Sequence, residues 1–227
     1  MGTISATELI NQAAIQLLDT ANTRWTRSEL LGWLSMAQRT ITLAQPYANA
    51  KTVLSDLVPG TRQSIPSDGW MLLDVYRDFM ADQVTPVRAV RIIDRQIIDS
   101  QMPTWHAAAQ TSPVQNYIYS LTDPLAYYVY PPSDGTHFLE LNYSQIPADI
   151  LVEANAITIP DIYAPVVLDY MLMKACMKDA EYAPGLQLAT QYAAQVEKAI
   201  GADQASLLAD NPDLQLKPKQ FQVPGDK

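Results

Sequence analysis

Apolar residues recur at helical spacing at both ends of this chain and lose that spacing in the middle, and this switch limits the fold more than any other feature. The run Ser5–Glu8 (SATE) has the form of a capping box, in which the serine hydroxyl accepts an orphan helix N–H and the glutamate reaches back to the cap. Ile10, Ala13, Ala14 and Leu17 follow three and four residues apart. Thr26–Glu29 (TRSE) is a second box, followed by the stripe Leu30, Leu34, Ala37, Ile41 and Ala44. Pro46 ends that helix, because it has no N–H to donate and restricts the residue before it.

From about residue 50 glycine and proline punctuate short runs. Val58–Thr61 places Pro59 and Gly60 as a type II turn requires, and PSDG occurs at 66–69 and again at 132–135. Strands are predicted over Thr52–Val58, Trp70–Phe79, Val114–Ser120, Ala126–Tyr130 and Thr136–Tyr143. Tyr117, Tyr119, Tyr127, Tyr128 and Tyr130 suit a half-buried pleated surface. Arg91–Gln101 reads as a short helix with Ile93, Ile97 and Ile98 on one side.

Helices return after Pro160. The segment 162–182 is apolar nearly all round, which places it either centrally in the chain or at a subunit interface. Ala183, Pro184 and Gly185 break it. A last helix carries Ala189, Tyr192, Val196 and Ile200, with Gly201 as its expected stop. A short helix is expected over Gln204–Ala209, and Leu214, Leu216, Phe221 and Val223 then alternate with polar residues, as in a strand added to another chain's sheet. Two helices at each end are too few to make a bundle alone but make a four-helix bundle together. The expected fold is therefore α+β. Residues 1–49 and 156–201 form a four-helix bundle, 50–155 an inserted small antiparallel β domain, and 202–227 an extended C-terminal arm.

Charge narrows the function classes. The 227 residues carry 24 acidic and 15 basic side chains, a net charge of -9, which disfavours a general nucleic-acid binder. The surplus is regional: residues 51–160 hold six basic and twelve acidic side chains, whereas the last 17 residues are slightly basic. Ile162–Met177, the longest apolar stretch, is interrupted by Pro165, Asp169 and Lys174 and is too short to span a bilayer. The N-terminus lacks the basic start and apolar core of a signal peptide, so use without secretion is expected.

No chemical motif stands out. The glycines form neither GxGxxG nor a P-loop, and neither HExxH nor GxSxG occurs. One cysteine and two histidines exclude a disulfide framework and leave little for a metal centre. Cys176 with His106 or His137 has the composition of a nucleophile and base, but Ala175 and Met177 beside it suit a small buried hydrophobe better. Asp74, Asp78, Asp94, Asp99 and Asp123, with Trp70 and Trp105 as sugar platforms, keep a glycoside-hydrolase-like or carbohydrate-binding module as the alternative. Asp123 before Pro124 is already explained as a turn residue. Arg88, Arg91 and Arg95 recur every three or four residues, with Asp94 and Asp99 among them, so local or intersubunit ion pairs fit better than nucleic-acid contact.

Several stretches resemble one family. RWTRSELLGWLSMAQRTI at 24–41, PGTRQSIPSDGWMLLDVYRDF at 59–79, RAVRIIDRQIIDSQMPTWH at 88–106, DPLAYYVYPP at 123–132 and, most of all, residues 159–201 are similar to head-to-tail adaptor (connector) proteins of tailed bacteriophages. The resemblance implies a structural virion protein without catalysis or cofactor, made in the host cytoplasm. It implies a ring, usually of twelve copies, below the capsid portal protein, extending the channel for double-stranded DNA and carrying tail or nozzle proteins. A tail-completion protein elsewhere in the virion is a further alternative. On this reading Trp25, Trp33, Tyr163, Val167 and Tyr170 are the candidate subunit interface. Leu214, Leu216, Lys217, Lys219, Phe221 and Val223 are the candidate portal-docking arm, and an acidic lumen wall would let DNA slide.

Overall fold

A computed structural model describes residues 2–179 and 183–210. Both capping boxes form. Ser5 and Thr26 cap α1 (Ala6–Gln16) and α2 (Arg27–Ala44), with Glu8 and Glu29 returning to the cap backbone. A short 3-10 turn over Pro46–Asn49 leads into the β region. Its strands are β1 (Ala50–Asp56), β2 (Gly60–Ser64), β3 (Gly69–Phe79), β4 (Pro86–Ala89), β5 (Arg91–Ile92), β6 (Asn116–Tyr119), β7 (Ala126–Ser133) and β8 (Phe138–Gln145). The helix α3 (Arg95–Gln101) lies between β5 and β6, and its cap Asp94 accepts the Gln96 N–H at 2.7 Å.

The strands form two four-stranded sheets in the orders β1-β8-β3-β4 and β2-β7-β6-β5, antiparallel except for the short β5–β6 pair. Leu72, Val75, Leu139 and Leu141 of one sheet meet Tyr117, Tyr127 and Val129 of the other in one apolar cluster. On the far side of the second sheet, Ile98 of α3 and Trp105 cover Ile118. Along β8 the buried Leu139, Leu141 and Tyr143 alternate as a half-buried strand should. β3 does not alternate. Its 11 residues face 8 of β8, with three register shifts that leave Trp70, Leu73 and Tyr76 unpaired. One bulge per three residues brings Leu72, Val75 and Asp78 inward at a spacing of three. Gly60 turns the chain between β1 and β2 at φ 113°, a backbone region that only glycine enters without strain.

The second core is helical. A 3-10 turn over Asp161–Tyr163 precedes α4 (Ala164–Lys178), and α5 (Ala183–Asp210) follows. Ile10, Leu34, Ile41, Val167, Met171, Leu172 and Val196 share one cluster drawn from α1, α2, α4 and α5. α4 packs against α1, α2 and α5. Of the two placements open to an all-round apolar helix, the central one therefore accounts for its composition. Residues 146–160 are not free connection: Ile150, Ile157 and Ile159 enter this core, and the Ile150 and Thr158 amides donate to Ser35 Oγ and Gln38 Oε1. Gln45, 1% exposed, donates to the Ile200 carbonyl at 2.8 Å and accepts the Tyr163 hydroxyl at 2.8 Å, tying α2 to α5.

Two expectations are corrected here. Gly201 does not stop the last helix, and Gln204–Ala209 is not a separate one, because α5 runs continuously to Asp210. A single interior glycine costs only about 1 kcal/mol, and the alanines around Gly201 favour the helix. α5 thus takes in residues 202–210 of the segment expected to be an arm. Leu214, Leu216, Lys217, Lys219, Phe221 and Val223 lie outside the described residues.

Candidate assembly surfaces

Most of the residues with a chemical reading hold the fold together. The Cys176 thiol sits on α4 and is pushed up by burial, with the Asp179 carboxylate adding to the shift, so the thiolate is disfavoured. His106 and His137 belong to the β region. His106 stacks on Trp105 at 3.6 Å and shares a hydrogen bond with Thr61. His137 meets the fully buried Asp78. Asp74 accepts the Tyr117 hydroxyl at 2.8 Å, and burial beside that carboxylate raises the phenol well above its usual range. Asp99 accepts from Trp105 Nε1 at 2.7 Å, and Asp123 pairs with Arg62. Among the described residues no group of three or more His, Cys, Asp or Glu is placed to hold a metal ion, and no helix is long and apolar enough to cross a membrane.

The candidate interface aromatics divide. Trp25 is 7% exposed and donates to the Ala175 carbonyl at 3.3 Å, and Val167 is fully buried; both lie in the helical core. Trp33, Tyr163 and Tyr170 are half-buried against that core and keep an outward part, with the Lys174 ammonium over the Tyr170 ring.

Trp25 is presented by a tight loop. The Asp19 carboxylate accepts the amides of Trp25, Arg24 and Thr23 and the Thr23 hydroxyl. The Trp25 amide above all, with those partners, holds the carboxyl at about 2 in spite of partial desolvation. A carboxyl lowered on folding stabilises the native loop above its ordinary value of about 4, and that contribution disappears as pH falls through the folded value. The amide resonances of Thr23, Arg24 and Trp25 should therefore shift together between about pH 4 and pH 2. In Asp19→Asn that shared titration should vanish.

The outward surface carries apolar side chains in several places. Leu18, just past α1, is 93% exposed and has φ 54°, an uncommon region for a branched residue. Beside the start of α1, Ile4, Leu9, Ala164, Pro165 and Leu168 line an apolar groove of about 310 Å³. On the β region, Met80, Val84, Val87 and Ile92 are exposed along the β3–β4 hairpin and its continuation, and neither composition nor spacing had marked them.

A chain whose candidate catalytic side chains hold its fold together, and whose surface offers separated apolar patches, belongs with proteins that work by being contacted. The family model for SU10 adaptor protein matches residues 4–214. The chain belongs to that family of phage head-to-tail adaptors and is a structural component of the virion. No curated protein matches it.

Proposed function

We propose that copies of this chain close into a ring, twelve by the family resemblance, between the capsid portal and the tail, and that the ring extends the channel for double-stranded DNA. The family match over residues 4–214 carries this reading. The four helices serve in it as one bundle, residues 50–155 as the inserted domain, and the residues beyond Asp210 as the segment that grips the portal. The net charge of -9 supports a lumen that repels phosphate, since lysine and arginine would release counterions and hold the polymer. Trp33, Tyr163 and Tyr170 remain the outward members of the proposed interface set.

The native mass of the chain, alone and mixed with the portal protein of the same virus, tests this. A complex with one full set of copies per portal ring is the expected result. A stable monomer in both samples removes the ring. Binding to a tail component with no affinity for the portal moves the chain to another position in the virion.

A further inference from the structure

The arginines of this chain are unevenly paired. Arg24, Arg27, Arg39, Arg62 and Arg95 each form an ion pair within the chain. Arg77, Arg88 and Arg91 form none among the described residues, and all three are exposed on the consecutive strands β3, β4 and β5. Val84 (77% exposed), Val87 and Ile92 stand beside them. The tip that carries Val84 is rigid. Asp82 accepts the Val84 and Thr85 amides and the Thr85 hydroxyl, the Met80 amide donates to the Thr85 carbonyl, and Gln83 turns at φ 59°. An ordered finger that is both basic and apolar suits a protein surface better than DNA, whose backbone offers phosphates and little apolar area.

The opposite edge of the same sheet has the complementary character. β1 pairs only with β8 among the described residues, and Asp56 at its end is exposed and forms no ion pair. Val58, just beyond, is 58% exposed. The exposed Asp134 lies beside them, since its neighbour Gly135 abuts Pro59. Ser112 and Thr136 hold that carboxyl down at about 2, so it stays charged at any working pH. The register fixes the relative height of the two features. Phe138 of β8 lies between Asp56 of β1 and Phe79 of β3, so the acidic corner and the hairpin tip are at the same end of the sheet. Three strand spacings, about 14 Å, separate the two edges.

We infer that the hairpin of one copy, through Val84, Val87, Arg88 and Arg91, docks on the Asp56–Val58–Asp134 corner of the next copy. Different patches on opposite edges at equal height make a head-to-tail contact, which closes into a ring when the rotation permits. Pro86 removes a backbone donor from the short β4, so side chains rather than added ladder bonds form the contact. The inference rests on the ring reading and adds its interface.

The full chain with p-benzoylphenylalanine at position 84, mixed with the portal protein and irradiated, provides the test. Cross-links from that position into residues 52–60 or 132–136 of a second copy are expected. In parallel, Arg91→Glu should weaken self-association about fivefold without changing the melting curve, and Asp56→Arg in that background should recover part of it. A ring by native mass whose position 84 links instead to the portal or to nothing overturns the interface and leaves the ring standing. A sample with no multi-copy complex removes both.

Discussion

Replacing His137 with alanine should destabilise the native chain by about 3 kcal/mol, measured as a lower midpoint in urea unfolding. Asp78 is 0% exposed and lies on the inner face of β3, between the two sheets. One of its oxygens faces His137 Nδ1, and the other accepts the Val114 amide at 3.0 Å from the segment leading into β6. The carboxylate therefore joins three places distant in the chain. Without the imidazole a buried charge keeps a single neutral donor, and that uncompensated burial is the source of the loss. The double variant His137→Ala with Asp78→Asn should be more stable than His137→Ala alone, because the amide carries no charge to desolvate. If the single variant lost less than about 1 kcal/mol, water would be reaching Asp78 and the pair would not be holding the sheets together.

The same residues explain why parts of the fold were legible and parts were not. The two capping boxes were legible because every group in them lies within four residues, and both helices begin where the boxes put them. The strand over 126–130 was legible for a similar local reason, although β7 runs on to Ser133. β3 lies where a strand was expected, but its core residues were hidden. Its bulges turn the inward spacing from two to three, and a partner strand distant in sequence determines that change. β2, β4 and β5 are only two to five residues long, and they were missed because pairing rather than composition makes them strands. The helix expected over Arg91–Gln101 begins at Arg95, because the spacing of Ile93, Ile97 and Ile98 carries one apolar side across the point where the chain passes from β5 to the cap Asp94.

The candidate surface was legible only as a class. A bundle, an inserted β domain, an overlong apolar helix and a C-terminal arm, with no chemical motif among them, fit an assembly protein, but which arginines are left unpaired depends on partners as remote as Glu153 for Arg27 and Asp149 for Arg39. The all-round apolar character of α4 had two explanations of equal standing. The packing separates them, because α4 meets α1, α2 and α5 and most of its apolar side chains are buried in the chain's own core.

That distinction gives the second large effect. Trp25→Ala should lower the stability of the isolated chain by about 3 kcal/mol, a fall of about 10 °C in Tm. The indole is held on three sides. It belongs to the apolar cluster that includes Leu172 and against which Leu17 packs, its Nε1 donates to the Ala175 carbonyl, and the Arg24 guanidinium sits over the ring at 5.1 Å while pairing with Asp179. A tryptophan that anchored a neighbouring copy would behave in the opposite way, since its removal would spare the monomer and prevent association. Thermal melting of the monomer and native mass with the portal protein, on the same variant, separate the two roles. A large fall in Tm, with normal ring assembly well below the transition, is expected for Trp25. Trp33→Ala supplies the contrast. Half-buried against the helical core, Trp33 has less area to lose within the chain and more to lose at a contact, so its effect should lie mainly on assembly.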